Sequence, residues 1–546
     1  MKPDTPSPQP GLVRALGPLM ATAVVVGTVI GSGIFKKPQS VAAHVPDFAT
    51  AALVWVLGGV LALLGGLALA EIAVLYPKAG GNYVFLREGF GRLAGFLWGW
   101  VEFWIIRGAS LAALATIFSE SLHDILRNPS FQQTLGLSLG PRPLGPGQLQ
   151  GLTVAVILAL TLVNIRGVRW GGGLQLFITT IKVASLLAIT VLPFVAWSLA
   201  WPVSPRVSPE FLGTLAGAPA AGFPANLPWG ALYEIAEHSP PAIVDFRLVG
   251  TALLGVLWAY HGWMNIAPVA EEVRNPRKNI PLSLLAGIGI VIAVYLGANL
   301  AYHLVIPQYQ MTGLTDTTVA TDFCLRLLGP IGAAVASAAV MCSVFGALNG
   351  NLLVAPRLLY AMGEDGLAPR ALGAIHPRYR TPARAIAVMG GWAALLVLAA
   401  AVLTRTRLPI LDLGLFQLNL NVPRNKSLFD ILTDFAMFGA IIFETMAVAS
   451  IFVFRWRLPH VERPYRCPGY PVVPALYIGI MALVVVNTFV SQRTEAVVGV
   501  GFIAAGAVVY YLMFTRCRDE KDGKDLLVTD TARGGISPWR SSSPPG

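Results

Sequence analysis

VVVGTVIGSGIFKKP, residues 24–38, is apolar enough to enter a bilayer, yet it carries three glycines, Gly27, Gly31 and Gly33, where a spanning helix would be expected to continue. Non-helical backbone survives at membrane depth only where protein or a water-filled cavity covers it. A helix broken at this point would therefore mark a site, once lipid is established as the surrounding medium.

Composition establishes it. The 546 residues are 55% hydrophobic and 12% charged, with a mean hydropathy of +0.65, whereas charged residues make up about a quarter of an ordinary soluble chain. A window of about 20 residues, the length that crosses roughly 30 Å of hydrocarbon, predicts twelve helical spans: 16–35, 48–73, 94–120, 150–165, 172–196, 248–268, 282–306, 331–360, 384–404, 433–455, 472–490 and 495–515. Runs this long and unalternating exclude an outer-membrane barrel. The first run has no A-x-A-like end, so it is read as retained and not as a cleaved signal peptide.

The short loops give an orientation. With residues 1–15 as a cytoplasmic tail, the inner connections are 76–92, 165–170, 271–281, 364–384 and 455–466, all dense in Lys and Arg, as the positive-inside rule requires. Lys36, Lys37, Arg405 and Arg407 fall on the outer side against that rule. An even number of spans returns the tail, 516–546, to the cytoplasm, where its polar composition predicts disorder. Segment 197–247 is too polar to span and is read as an outer loop. The net charge of +11 then reports topology, since no segment is long and polar enough to be a basic nucleic-acid-binding domain. Cys324, Cys342, Cys467 and Cys517 match no metal motif, form no extracellular pair in this topology, and are read as small hydrophobes.

The interruption recurs. GVLWAYHGWMNIAPVAEEVRNP (255–276) is also apolar, with Gly262 in its middle and Pro268 beyond, and it begins the second half of the chain five spans after the first. A lone G-x-x-x-G more often means close helix packing. Two interrupted helices at corresponding places in two five-helix halves point instead to an inverted-repeat transporter with its substrate at the midplane. Backbone N–H groups at the positive end of a half-helix suit a carboxylate, and freed carbonyls suit an ammonium, so a zwitterion fits.

These residues also carry a family resemblance. VGTVIGSGIF (26–35) resembles the helix 1 signature of the L-type amino acid transporters in the amino acid–polyamine–organocation superfamily. AEIAVLYPKAGGNYVFLREGFG (70–91), WVEFWIIRGAS (100–110), EEVRNPRKNIP (271–281) and FGALNGNLLVAPRLLYAMGEDGLAP (345–369) are similar to that family's helix 2 and first inner loop, helix 3, helix 6–7 loop and helix 8. The likeness runs from about residue 12 to 515 and implies an all-α membrane protein of twelve transmembrane helices with a LeuT-like 5+5 inverted repeat. Its ten-helix core would cover 16–455, with helices 1–5 at about 16–196, the outer loop 197–247, helices 6–10 at about 248–455, and helices 11–12 at 472–515.

Carried over by position, the resemblance puts the substrate cradle on Val29, Gly31, Ser32 and Gly33 of helix 1 and on Trp258, Ala259 and Tyr260 of helix 6. The N–H groups of Gly31, Ser32 and Gly33 would take the carboxylate, and the carbonyls of Val29 and Trp258 the amine. The glycines are expected to let the backbone approach the carboxylate and to take backbone angles closed to other residues. Lys182, in helix 5, matches a lysine that replaces a sodium ion in related carriers, with Ser343 as its helix 8 neighbour and Tyr295 bonding to the unwound segments. Glu102 and Arg107 match a helix 3 pair that is read as structurally satisfied, by one another or by inner-end carbonyls. Two positions depart from the pattern: His261 stands where relatives carry Gly or Asp, and Glu444 puts a carboxyl into helix 10. Intramembrane ionisable groups are functional candidates by default, and either residue would serve to couple transport to protons.

The resulting expectation is sodium-independent transport of neutral L-amino acids across the plasma membrane by alternating access, as exchange, with proton-coupled symport as the alternative. No cofactor or metal is expected. The helix 3–4 loop, 119–148, lacks the cysteine that animal L-type carriers use to join a glycoprotein, so no covalent heavy chain is expected. An intramembrane enzyme would need a converging nucleophile and base or a metal cluster, and seven scattered histidines supply none. A channel would show a repeated filter or a charged ring, and neither is present.

Overall fold

The computed structural model describes residues 12–45, 47–134, 136, 143–198, 246–314, 317–403, 411–412, 417–418, 428–491 and 493–515. The outer-loop reading of 197–247 and the tail reading of 516–546 fall almost wholly outside these residues, as do Arg405, Arg407 and Cys517. The described chain is helical apart from two-residue strands at Leu411–Asp412 and Gln417–Leu418, which pair antiparallel.

Eleven helices among the described residues are long and apolar enough to cross a membrane. The remaining expected span, helix 6, is helical over Phe246–Tyr260 and then winds as a tighter 3-10 helix over Trp263–Glu272, so neither piece qualifies on length. Local chemistry sets several ends. The Asp47 carboxylate accepts from the Thr50 N–H at 2.7 Å to start helix 2, Phe48–Leu75, and Thr318 caps helix 8 through the Thr321 N–H at 3.2 Å, each satisfying a donor the first helical turn leaves open. Helix 8 has a leading piece from Val319 that ends where Gly329 takes φ 69°, and Pro330 starts a fresh helical run beside the expected 331. The two helical pieces abut across the Gly-Pro pair.

Burial sorts the spans. In helix 1, Pro18–Ala42, 78% of the most apolar stretch is buried, against 28% in helices 4, 5 and 11 and 11% in helix 12. Helix 1 is therefore central, packed on helices 5, 7 and 8. The outward faces of helices 4, 5, 8 and 11 present Leu162, Phe177, Val335 and Leu483, as a surface in contact with lipid does. The chain is a multi-pass membrane protein.

The segments expected as inner connections gather at one end of the bundle. Leu16 pairs in parallel with Val273, and the Arg274 N–H donates to the Leu16 carbonyl at 2.9 Å, which ties the start of helix 1 to the end of helix 6. Arg357 and Glu272, both fully buried, meet at 2.8 Å beside this bridge. Glu71 accepts from Arg455 at 2.7 Å and lies 3.2 Å from Arg463. Asp365 binds Arg87 and accepts from the Tyr83 hydroxyl at 2.6 Å. Burial pushes the Tyr83 hydroxyl up to about 12. Lys36, counted against the charge rule, pairs with Glu120 at 3.5 Å.

Candidate functional site

Helix 1 is two helices. Pro18–Val29 ends at Ile30, whose ψ of 90° leaves the helical region, and Gly33–Ala42 begins after Ser32. Across that gap the N–H groups of Gly31, Ser32 and Gly33 have no backbone acceptor among the described residues. The first N–H groups of any helix lack an internal partner, so the second piece points open donors and the positive end of its dipole into the break. The Ser32 hydroxyl is buried and also without a partner among the described residues.

Helix 6 breaks at the same depth, where Gly262 adopts φ 105°. That left-handed turn suits glycine because it has no Cβ. Gly31 and Gly33 are different: neither has a left-handed φ. The expected reason for glycine there is corrected by the structure. At Gly33 it is close approach, since an added Cβ would lie 2.5 Å from Cα and 2.8 Å from Cβ of Ala259. The two broken helices touch through backbone, which requires the smallest residue at the crossing.

Three side chains hold the unwound segments. The Lys182 ammonium, 1% exposed, donates to the Gly27 and Ile30 carbonyls at 2.8 and 2.7 Å. The Ser343 hydroxyl lies 3.3 Å from the carbonyls of both Ile30 and Gly31. The Tyr295 hydroxyl faces Val29 O at 3.1 Å and Ala259 O at 3.0 Å, spanning the two helices. Carbonyls that a continuous helix would have satisfied internally are thus met from helices 5, 7 and 8.

The breaks border a pocket lined by Val29, Gly31, Ser32 and Gly33 on helix 1 and by Trp258, His261 and Asn265 on helix 6, with Ser110, Ala347 and Asn351 opposite. Among the described residues, no Asp, Glu, Lys or Arg lines it. Ala259 and Tyr260 do not line it: Ala259 packs under Gly33, and Tyr260 faces the other side of helix 6. The Trp258 carbonyl accepts the His261 N–H at 3.1 Å, and the two rings lie parallel with centroids 6.1 Å apart. His261 Nε2 is 2.8 Å from Glu444 Oε1 on helix 10, so the two departures form one pair.

Of two further buried clusters, the sequence singled out only the Glu102–Arg107 pair, which the structure joins as expected, and not the amides around it or the second cluster. Arg107, on a π-helical turn over Glu102–Arg107 of helix 3, contacts Glu102, Asn351 and, at 2.7 Å, Asn265 Oδ1. Its side chain therefore orients two amides of the cavity wall and leaves Asn265 Nδ2 buried without a partner among the described residues. Asn164, Asn349 and Gln175 form a second chain across helices 4, 8 and 5, at 3.0 and 2.9 Å. Polar residues in otherwise apolar spans are the signal that would have found both, since each needs a partner in lipid. Among the described residues no group of His, Cys, Asp or Glu is arranged to hold a metal, and Cys324, Cys342 and Cys467 are free thiols.

A family model described as amino acid permease matches residues 16–514. The chain is 29% identical over 508 residues to the serine/threonine exchanger SteT of Bacillus subtilis, covering 93% of this chain and 98% of that protein. It is 29% identical over 501 residues to the Asc-type amino acid transporter 1 of Mus musculus, covering 92% and 81% of the two chains. It is 28% identical over 506 residues to the human b(0,+)-type amino acid transporter 1, covering 92% and 88%. The chain belongs to the amino acid permease family of the amino acid–polyamine–organocation superfamily, and it is a transporter of amino acids, not an enzyme.

Proposed function

We propose, from membership in this family, that the chain exchanges small neutral L-amino acids across the plasma membrane without sodium, by alternating access around the two breaks, with both termini cytoplasmic and no covalently attached heavy chain. The observation that carries the reading is the cradle itself: three open N–H groups and the free Ser32 hydroxyl face a cavity whose described lining has no Asp, Glu, Lys or Arg. Such a site takes the carboxylate of a zwitterion on helix 1 and leaves the side chain to a neutral wall. The Lys182 ammonium bonded to the helix 1 break supplies a fixed positive charge where a cation-coupled carrier would place an ion. In this reading the two broken helices, which touch at Gly33–Ala259 and Leu16–Val273, rock together against the rest, as the five-plus-five repeat implied by the resemblance would have them do.

Exchange is tested in proteoliposomes loaded with or without serine. Uptake of labelled serine that needs internal amino acid, persists when choline replaces sodium and ignores an imposed pH gradient is the expected result. A strict sodium requirement overturns it. The second reading, proton-coupled symport, is favoured by the buried His261–Glu444 pair beside the cavity; it predicts uptake into empty liposomes driven by an acid exterior.

A further inference from the structure

His261 borders two cavities. One is the cavity at the breaks. The other is a small pocket behind helix 6, between helices 2, 10 and 11, lined by Leu61, Leu257, Met437 and Met481 with Glu444 and Tyr477 at its polar side. The imidazole is the feature common to both. It is fixed from three directions: its backbone N–H donates to Trp258, its ring lies parallel to the Trp258 indole at 6.1 Å, and Nε2 bonds to Glu444 at 2.8 Å. His261 and Glu444 side chains are only 9% and 5% exposed. Swinging the ring aside would leave a buried carboxylate without its hydrogen-bond partner, a costly state in an apolar interior.

The geometry points to a specificity role: His261, held by the positioning residue Glu444, is a partition that limits the length of the substrate's side chain by walling the binding cavity off from the second one. This rests on the larger cavity being the amino acid site. With the ring in place the side chain ends at His261 and only short ones fit. With the ring removed, the side chain gains an apolar corridor bounded by Leu257 and Met481 that ends at a carboxylate. That corridor matches a chain of methylenes ending in an ammonium, as in lysine or ornithine. Without the carboxylate's charge it matches an uncharged long side chain such as methionine.

The test is competition of unlabelled amino acids against labelled serine on the purified full-length protein, for the parent, His261→Gly, His261→Phe, Glu444→Gln and the double variant His261→Gly/Glu444→Gln. In the parent, lysine and methionine are expected to compete at least tenfold more weakly than serine. In His261→Gly the lysine-to-serine affinity ratio rises at least tenfold. In the double variant the gain passes from lysine to methionine. His261→Phe refills the partition and keeps the parent's ranking. If His261→Gly fails to fold because Glu444 is left unpaired, the double variant, which buries no lone charge, carries the test through its methionine-to-serine ratio. A parent that binds serine and methionine within threefold of each other overturns the inference, as does an unchanged ranking in the double variant. If no amino acid of any length competes in the parent, the proposed function itself fails, a result distinct from either.

Discussion

Replacing Gly33 with alanine, one methyl group, should cost far more than the same change two residues away. The Cβ would lie 2.5 Å from Cα and 2.8 Å from Cβ of Ala259. Carbon atoms rest about 3.5–4.0 Å apart, so the two broken helices would have to separate by about 1 Å at their crossing. Ala259 is poorly placed to yield, because its carbonyl is engaged by Tyr295 from helix 7. Overpacking of this kind costs about 1–3 kcal/mol. Spent on separating the halves of the substrate cradle, it weakens binding by about 5- to 150-fold. At Gly31 the added Cβ meets Ala347 and Leu114 at 3.4 Å, close to an ordinary contact. Neither glycine has a left-handed φ, so backbone strain does not confuse the comparison. The assay is serine affinity by calorimetry in detergent, with a melting curve for each variant. A Gly33→Ala protein that binds serine within twofold of the parent, or a Gly31→Ala protein more impaired than it, would refute the close-approach argument.

Arg357→Met leaves Glu272 buried without its guanidinium and should destabilise the protein by about 3–5 kcal/mol, while Arg357→Met/Glu272→Leu should recover most of that loss; thermal unfolding of the single and double variants decides it. Lys182→Ala removes two charge-assisted bonds to the helix 1 break and should slow exchange more than it weakens substrate affinity, measured as counterflow rate against binding. Tyr83 lies outside the spans, and burial pushes its phenol from 10.0 up to about 12. The stability linked to it is complete below pH 10 and drains away as pH rises from 10 towards 12, so a tyrosinate absorbance titration of Tyr83→Phe should lack one late-titrating phenol.

The places where helices 1 and 6 break were legible because glycines clustered within an apolar run weaken the helix where lipid otherwise demands that it be continuous. Lys182 was legible because a lone ammonium in helix 5 must find acceptors, and the unwound carbonyls are where acceptors are spare. Partnerships between distant helices were not. His261 and Glu444 stand 183 positions apart, Glu272 and Arg357 stand 85 apart, and hydropathy says that each is buried without saying which helix faces which. The glycines show the same limit at finer scale: the sequence marks Gly33 and Gly262 alike, but one answers to a neighbour's backbone and the other to its own φ. The helical piece from Val319 that precedes helix 8 was not read, although the break at Gly329-Pro330 lies beside the expected start.

The Tyr295 hydroxyl has one hydrogen and two carbonyls to serve, Val29 O on helix 1 and Ala259 O on helix 6. At any instant one of them goes without. If an arriving ammonium takes the Val29 carbonyl, the hydrogen turns to Ala259, and the site passes from empty to filled with every acceptor matched and no helix displaced. In that case the phenol would work like a railway point, set by the occupant: a single oxygen on helix 1 would be held while the site is empty and handed to a guest when one arrives, at the cost of a bond rotation.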